Sequence, residues 1–251
     1  MVQIPNLLKY PNLFHTISDA KDGNLSYFFN GQAADKDKVS ENRKKFFEKI
    51  GIDINKTIGI WVEGEDRVLV ADPMQAGISM TDKEHAVRCD ALITKQRNLF
   101  LFLLIADCLQ VILFDPKNKA LGIVHVGWRG ADLEIVKKTL NRMEEVYRTD
   151  PKDLIVGFGP SARKENYIKE NPGQINDVRW KDFLEEVGDG KFKVDVSGFC
   201  RHQLLDSGVL NSNIYDSGID TVTDNRFFSH YRQNILPHDK QGRFACVVGL
   251  V

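Results

Sequence analysis

Residues 99–130 carry two apolar segments and the turn between them, and they read LFLFLLIADCLQVILFDPKNKALGIVHVGWRG. The first segment, Leu99 to Phe114, is rich in strand-forming residues and is interrupted by Asp107. The turn-forming run Asp115 to Lys119 follows, and Leu121 to Val126 is the second segment. This order predicts a long apolar strand and a second strand, joined by a short turn.

Two amphipathic helices are predicted on either side of these strands. After Gly127–Gly130, apolar residues recur at spacings of three and four, and Asp132 lies near the predicted helix start. The recurring residues are Leu133, Val136, Leu140, Met143 and Tyr147. An earlier helix is predicted over Asp35 to Ile50, with Gly51 as its C-terminal stop.

The remaining predicted elements alternate between strands and short helices. The strands are Thr57–Val62, Arg67–Ala71, Leu154–Phe158 and a central Phe244–Val251, and the helices are Trp180–Val187 and Phe199–Ser207. No linker-like segment and no internal repeat divides the 251 residues. We therefore expect one domain, residues 1–251, with an α+β or mixed α/β fold.

Composition and charge exclude several classes of protein. Hydrophobic residues make up 42% of the chain, and 34 basic residues balance 35 acidic ones, for a net charge of -1. That balance lacks the basic surplus of a general nucleic-acid binder or a membrane-surface protein. The longest apolar run, Leu99 to Ala106, is far shorter than the roughly 20 residues of a membrane-spanning helix.

The amino terminus and the cysteines predict a cytoplasmic protein. Met1–Pro5 shows neither the basic nor the apolar region of a signal peptide. The four cysteines form no C-x-x-C pair and no dense framework, so reduced thiols are expected. They are Cys89, Cys108, Cys200 and Cys246.

Asp107 and Cys108 interrupt an otherwise apolar segment. A buried carboxylate needs a partner or a chemical role. One interpretation is structural: Asp107 caps a turn at a strand end, and Cys108 packs as a small apolar side chain. The other places both residues in a reactive site.

The stretch His125–Gly130 joins a strand to a helix through two glycines. Glycines at such a turn let a ligand approach the backbone closely, and the start of the following helix favours an anion. Arg129 is placed to bind phosphate there, and Trp128 stands beside it. A His, a Trp and an Arg at one turn favour a binding site over a structural histidine.

The turn between the two strands decides whether Cys108 meets His125. If Lys117-Asn118 is a two-residue turn, Gln110 lies opposite His125, and Cys108 is a diagonal neighbour of His125 on the same face. A three-residue turn would separate them. A Cys and a His on adjacent strands suit either a zinc pair or a thiolate–imidazole dyad.

Arg43 is a further candidate because it lies in the apolar stripe of the helix predicted over Asp35 to Ile50. An arginine in that position extends to solvent, pairs with an acid or reaches into a pocket.

Several motifs together resemble the laccase-domain family. Ala106-Asp107-Cys108, Asp115-Pro116 and His125–Gly130 resemble its A-D-C … D-P … H-A-G-W-R-G signature, in the same order. Further matches are Glu41-Asn42-Arg43 to E-N-R, Cys89–Thr94 to A-D-A-L-V-T, Gly159-Pro160 to G-P, Phe227–Arg232 to F-x-S-Y-R-R and Gly242-Arg243 to G-R. The family was earlier described as polyphenol oxidase-like. Its members are purine nucleoside enzymes, and some bacterial members are called peptidoglycan-editing factors.

The resemblance implies a fold, a metal and an activity. It implies one domain with β-sheets packed centrally as a sandwich and helices outside. It implies a zinc site that includes Cys108 and His125, and a substrate-pocket arginine at Arg43. Family members phosphorolyse adenosine, inosine, guanosine and methylthioadenosine, and they deaminate adenosine. Zinc polarises water for attack at C6 of adenine, while arginines near a helix start hold phosphate.

The chain departs from the family pattern at the first metal ligand. Where the family has Q-V-H-G, this chain reads Trp61-Val62-Glu63-Gly64, so Glu63 replaces the histidine. Glutamate ligates zinc through oxygen, and a set of Glu63, Cys108 and His125 leaves one coordination position open. The G-P-x-I-G-x-C-C-Y-E segment also departs from the pattern beyond Gly159-Pro160.

Three functional hypotheses follow. The first is a zinc-dependent purine nucleoside phosphorylase with adenosine deaminase activity, in which Glu63, Cys108 and His125 hold the metal. Arg43, Arg129, Trp128 and Asp107 would then bind nucleoside and phosphate.

The second hypothesis is a metal-free Cys–His hydrolase or deamidase, with Cys108 as nucleophile, His125 as base and Glu63 orienting His125. The third is a nucleoside-binding homologue that has lost catalysis because of Glu63. Copper-dependent phenol oxidation ranks last, because six histidines without an H-x-H pair do not provide a multicopper site. We expect no nucleic-acid or membrane partner, and a monomer or homodimer.

Overall fold

Sixteen strands and five α-helices make up the computed structural model, which describes residues 1–251. The strands are β1 (Leu13–Ile17), β2 (Phe28–Phe29), β3 (Gln32–Ala33), β4 (Thr57–Trp61), β5 (Val68–Val70), β6 (Val87–Arg88), β7 (Ala91–Thr94), β8 (Phe100–Ile105), β9 (Leu109–Asp115), β10 (Ala120–Val126), β11 (Ile155–Phe158), β12 (Ile168–Glu170), β13 (Leu184–Gly188), β14 (Lys191–Val194), β15 (Ile214–Asp216) and β16 (Phe244–Leu250). The helices are α1 (Lys36–Ile50), α2 (Trp128–Asp132), α3 (Ile135–Tyr147), α4 (Val196–Asp206) and α5 (His230–Gln233). None of these helices has both the length and the apolar composition needed to cross a bilayer.

Two large mixed sheets form the centre of the molecule. One has the strand order β1-β16-β8-β4-β6, and the other has the order β15-β11-β9-β10-β7-β5. Apolar side chains from both sheets form a shared buried core between them, including Leu101 and Leu103 of one sheet and Ile112 and Ile123 of the other. The two sheets therefore pack as a sandwich.

Helices cover the two outer faces of the sandwich. On one side, Phe46 and Phe47 of α1 pack with Phe102 of β8 in a separate core. On the other side, α3 and α4 pack on the six-stranded sheet through a core that includes Leu140 and Phe199. The predicted α+β architecture, with central sheets and outer helices, is confirmed.

The first predicted helix and the predicted central strand are also confirmed. The Asp35 side chain accepts a hydrogen bond from the Lys38 N–H (3.1 Å), which caps the start of α1, and Gly51 ends α1 in the left-handed region (φ 69°). β16 lies between β1 and β8, and all its residues are buried.

The prediction of one long strand over Leu99 to Phe114 was wrong. This segment forms two strands, β8 and β9, and each belongs to a different sheet. The chain changes sheets at Asp107, whose φ of 77° is incompatible with a continuing strand. The polar residues in this segment therefore lie at the crossing between the two sheets.

The helix predicted over Trp180–Val187 was also wrong, because its second half, Leu184–Val187, belongs to the hairpin of β13 and β14. Gly188, Asp189 and Gly190 all have positive φ values and form the turn of this hairpin. This turn favours a hairpin more strongly than the short apolar pattern before it favours a helix. β12 completes this small three-stranded sheet.

The helix predicted to begin near Asp132 is interrupted. Glu134 adopts a left-handed conformation (φ 59°) and separates α2 from α3. Asp132 does not cap α3. Its carboxylate instead accepts hydrogen bonds from Trp180 Nε1 (2.9 Å) and from Arg179 (3.0 Å).

Candidate active site

The hairpin of β9 and β10 has the predicted register. His125 pairs with Gln110 as expected. The connection is not the expected two-residue turn at Lys117-Asn118 but the four residues 116–119, which have the same even parity and so give the same register. Asp115 fixes this connection, since its Oδ1 accepts hydrogen bonds from the N–H groups of Lys117 (3.0 Å) and Asn118 (2.9 Å). The side chains of Cys108 and His125 therefore share one face, as expected.

The Cys108 sulfur and the His125 ring meet above Gly127. A Cβ added to Gly127 would lie 3.4 Å from Cys108 Sγ and 3.7 Å from His125 Cε1. Both distances are ordinary van der Waals contacts, so the Cys108 sulfur and the His125 ring both lie against this glycine. Cys108 is half-buried, whereas His125 is 8% exposed and lies behind it.

A buried carboxylate, Asp90, holds the other side of the His125 ring. Asp90 Oδ1 lies 3.5 Å from His125 Nδ1, and the His125 N–H donates to the Asp90 carbonyl (2.8 Å). The Asp90 carboxylate also accepts the N–H groups of Gly64 (2.8 Å) and Glu65 (3.0 Å). Burial alone would raise the pKa of Asp90, but His125 and these N–H groups outweigh burial and lower it.

Asp90, His125 and Cys108 therefore form a row in which the carboxylate and the sulfur both act on the pKa of the histidine between them. Burial of the His125 ring lowers its pKa, but the charge of the Cys108 sulfur and the Asp90 carboxylate raise it more strongly. The net result is a pKa of about 9 for His125. This row can hold a proton at neutral pH.

A cavity of about 240 Å³ opens over Cys108. Its walls combine apolar, aromatic and cationic side chains. Residues lining it include Asp107, Cys108, Trp128, Tyr167, Lys169, His230, Tyr231 and Asn234. Of the sequence-predicted site residues, the cavity brings together Asp107, Cys108 and Trp128, with His125 directly behind.

Asp107 holds the C-terminal segment against this cavity. Its Oδ1 accepts the hydroxyl of Thr221 (2.6 Å), and its Oδ2 accepts the hydroxyl of Ser229 (3.0 Å) and the N–H of Tyr231 (2.6 Å). Both carboxylate oxygens are engaged within the protein. The structural interpretation of Asp107 therefore accounts for its contacts, and it lines the cavity without a free oxygen for substrate.

Glu63 is not part of this cluster. Its Oε1 lies 3.2 Å from Arg88 Nη1, so the carboxylate is paired with a guanidinium. No group of three or more His, Cys, Asp or Glu side chains has an arrangement that would hold a metal ion. Cys108 and His125 provide two adjacent donors, but Glu63 does not complete a three-ligand zinc site in this arrangement. Asp90, rather than Glu63, orients His125.

Arg43 lies on α1, which packs against the outer face of the five-stranded sheet, and it does not line the Cys108 cavity. Its Nε donates to the Leu25 carbonyl (2.8 Å) and its Nη1 to the Met80 carbonyl (2.8 Å). Its guanidinium also stacks near the rings of Tyr27 (4.3 Å) and Phe102 (4.9 Å). Burial lowers the pKa of Arg43 to about 10. The structure thus places Arg43 as a brace between α1 and its neighbours, and does not bring it to the cavity.

Arg129 is exposed on the short helix α2 and does not line the cavity. The structure therefore does not bring Arg129, which was predicted to bind phosphate at the turn it shares with His125 and Trp128, into this cavity. Its neighbour Trp128 does face the cavity, where Lys169 Nζ lies 4.9 Å from the centre of the Trp128 ring.

Sequence reasoning missed Asp90, Tyr167, Lys169 and His230. Asp90 is the aspartate of the stretch that resembles A-D-A-L-V-T, and Tyr167 matches the tyrosine of the family's G-P segment, so both positions belonged to recognised motifs. His230 lies within the stretch that resembles F-x-S-Y-R-R, whereas Lys169 had no signal, because it reaches the cavity from β12, far along the chain.

Comparison with known proteins identifies the family. A family model described as multi-copper polyphenol oxidoreductase laccase matches residues 21–251. The chain belongs to this laccase-like family. The resemblance seen in the motifs is thereby confirmed.

Relatives of this family member carry the name of a nucleoside enzyme. A purine nucleoside phosphorylase of Bacteroides thetaiotaomicron is 28% identical over 260 residues, covering 97% of this chain and 93% of the relative. Purine nucleoside phosphorylase YlmD of Bacillus subtilis is 24% identical over 220 residues, covering 84% and 77%. The chain is thus similar to an enzyme family over nearly its whole length.

Solved structures share the fold. Hypothetical protein YfiH of Bacillus licheniformis superposes with a TM-score of 0.87 at 23% identity, covering 97% of this chain and 94% of that one. YlmD of Geobacillus stearothermophilus gives a TM-score of 0.86 at 22% identity, covering 96% and 93%.

Proposed function

We propose that this protein is a purine nucleoside phosphorylase and that the nucleoside binds in the cavity over Cys108. One observation carries the proposal: the cavity joins two aromatic side chains, Trp128 and Tyr167, and a cation, Lys169, to the row that ends at Cys108. Aromatic rings suit a purine base and a cation suits phosphate. Its volume of about 240 Å³ is close to the lower end of small-molecule pockets. The names of the relatives support the same activity.

The reaction needs a nucleophile, a leaving group and a proton. A phosphate oxygen attacks C1′ of the ribose, and the bond from C1′ to the purine nitrogen breaks with its electron pair on the base. The departing base takes up a proton. The row of Asp90, His125 and Cys108 can supply this proton, because Cys108 lies at the cavity and His125 holds a proton behind it. The products are the free base and ribose 1-phosphate.

The substrates we propose are adenosine, inosine, guanosine and methylthioadenosine, with adenosine deamination as a second activity. Deamination requires an activated water at C6 of adenine. Because Glu63 is paired with Arg88, we derive no step through zinc for either reaction. Zinc binding by Glu63, Cys108 and His125 stays a prediction, tested by metal analysis of the wild type and Glu63→His. Zinc in the variant alone would locate the defect at Glu63.

The test of the function compares the wild type with Cys108→Ala. We expect the wild type to convert inosine and phosphate to hypoxanthine and ribose 1-phosphate. Cys108→Ala should lower kcat by about 100-fold or more, since the group facing the substrate is lost. Cys200→Ala is the matched control, because Cys200 lies on the buried face of α4 and does not line the cavity. Equal activity in both variants would contradict the proposed role of Cys108.

A second candidate function is a metal-free Cys–His hydrolase or deamidase. The arrangement of Asp90, His125 and Cys108 favours it, because a thiol next to a histidine that a carboxylate orients is the pattern of a nucleophilic cysteine. The product distinguishes the two functions: hydrolysis of a nucleoside gives free ribose and consumes no phosphate. Nucleoside binding without any turnover would instead support a homologue that has lost catalysis.

A further inference from the structure

Lys169 is a half-buried cation without an acidic partner. Its Nζ lies 4.9 Å from the ring centre of Trp128 and 5.4 Å from that of Tyr167, at the wall of the cavity. It makes no ion pair and no side-chain hydrogen bond, whereas Lys193 on the neighbouring strand pairs with Glu165 (2.6 Å). Burial lowers the pKa of Lys169 from its usual value, and the charge of Cys108 opposes this effect. The structure therefore keeps this ammonium in a partly buried site, beside two aromatic rings and without a carboxylate partner.

The charges around the cavity favour an anion. Asp107 is the only carboxylate that lines it, and both of its oxygens accept hydrogen bonds from the protein. His230 also lines the cavity, and the half-buried guanidinium of Arg243 is close enough for the charges of Cys108 and Asp107 to act on it. The Cys108 sulfur also faces the cavity and lies beside His125. Lys169 is thus the charged side chain at the cavity wall without a partner, and a phosphate group would provide one.

We propose that Lys169 binds a phosphate group in this cavity, and that this group is the inorganic phosphate consumed in phosphorolysis. The inference rests on the proposed function for the identity of the phosphate. An ammonium offers three donors to phosphate oxygens, and such charge-assisted bonds are among the stronger ones in proteins. The Trp128 and Tyr167 rings hold the ammonium in place by cation–π contacts before phosphate binds.

The first experiment measures phosphorolysis of inosine while phosphate and inosine are varied in turn. In Lys169→Met the side chain keeps its apolar stem but loses the ammonium. We expect the KM for phosphate to rise at least about tenfold, because one charge-assisted hydrogen bond is lost. The KM for inosine should change less than about twofold, and Lys169→Arg should recover most of the phosphate affinity. A merely structural role would move both KM values together.

The matched control is Lys95→Met. Lys95 also lies over an aromatic ring, Tyr147, at 5.5 Å, but it is exposed and does not line the cavity. We expect it to leave both KM values unchanged. An unchanged phosphate KM in Lys169→Met, or an equal rise in Lys95→Met, would overturn the inference and leave the phosphorylase function standing.

The second experiment measures the rise in melting temperature that inorganic phosphate causes without any nucleoside. We expect this rise in the wild type and Lys95→Met, and its loss in Lys169→Met. If this pattern appears but no nucleoside is cleaved, the phosphate site stands and the proposed function fails. Stabilisation by inosine 5′-monophosphate alone, lost in Lys169→Met, would assign the phosphate group to a nucleotide and overturn the role of inorganic phosphate. No rise with either compound would overturn the site itself.

Discussion

Asp90 Oδ1 lies 3.5 Å from His125 Nδ1, and the same carboxylate accepts the N–H groups of Gly64 and Glu65. One fully buried side chain thus fixes the orientation of the site histidine and the loop that follows β4. The family pattern places its first metal ligand in this loop, at Glu63. Asp90 therefore connects the loop that contains Glu63, where the chain departs from the family pattern, to His125, where the chain matches it.

Asp90→Asn is predicted to lower the pKa of His125 below about 9 and to reduce kcat by about tenfold or more. The amide keeps the shape of the side chain but removes its charge, which is one of the causes that raise the pKa. Nuclear magnetic resonance titration of the His125 ring measures the shift. Asp66→Asn is the control, since Asp66 pairs with Lys138 on the surface beside the same loop. An unchanged His125 titration would show that Asp90 does not act on the ring.

His15 predicts an acid-sensitive fold. Its Nε2 accepts the N–H of Ile4 (2.9 Å), and burial lowers the pKa of His15 to about 4. The native state therefore binds fewer protons than the unfolded state between pH 6.5 and 4. The stabilising effect is complete above pH 6.5 and is lost as the pH falls toward 4, by up to about 3 kcal/mol. Urea unfolding at a series of pH values measures this loss.

The control for the acid effect is His15→Gln, whose amide oxygen can accept the same N–H but does not titrate. The variant should lack the part of the pH dependence that comes from His15. If the wild type and the variant lose equal free energy of unfolding between pH 6.5 and 4, the loss comes from other groups.

Asp107→Ala is predicted to free the C-terminal segment that borders the cavity. The substitution leaves the hydroxyls of Thr221 and Ser229 and the N–H of Tyr231 without their acceptor, at a cost of about 3 kcal/mol. Hydrogen exchange of residues 221–236 should become faster, and the KM for nucleoside should rise. Asp224→Asn removes the charge of a half-buried partner of the exposed Arg226 in the same segment and should change neither. Unaltered exchange in Asp107→Ala would refute this role.

Gly159→Ala is predicted to destabilise the fold because of Gln110. A Cβ at residue 159 would lie 1.7 Å from Gln110 Nε2, and Gln110 is fully buried. We expect a loss of about 3 kcal/mol in the free energy of unfolding. The double variant Gly159→Ala/Gln110→Ala should lose less than the sum of the two single losses, since the clash disappears. Additive losses by chemical denaturation would exclude the clash as the cause.

Much of the fold and half of the site could be predicted from local patterns. The hairpin register followed from the turn between β9 and β10, and it brought Cys108 to His125. The crossing at Asp107 was not predicted, because an apolar run gives no sign of a change between sheets. The turn at residues 188–190 forms the hairpin of β13 and β14, where the short apolar pattern had predicted a helix.

The other half of the site depends on contacts between distant elements. Lys169 comes from the small sheet and His230 from α5, and only the folded chain places them beside Cys108. Arg43 matched the family motif, but its side chain is committed to the carbonyls of Leu25 and Met80. A motif shows which residues are present, whereas the packing decides which cavity they reach.

Phosphorus nuclear magnetic resonance of the wild-type protein with inosine and inorganic phosphate tests the central claim most directly. Phosphorolysis predicts that the phosphate signal declines as a ribose 1-phosphate signal grows, with one hypoxanthine released for each phosphate consumed. Cys108→Ala should show neither change. Release of hypoxanthine with an undiminished phosphate signal would contradict the account, and so would intact inosine after prolonged incubation with folded protein.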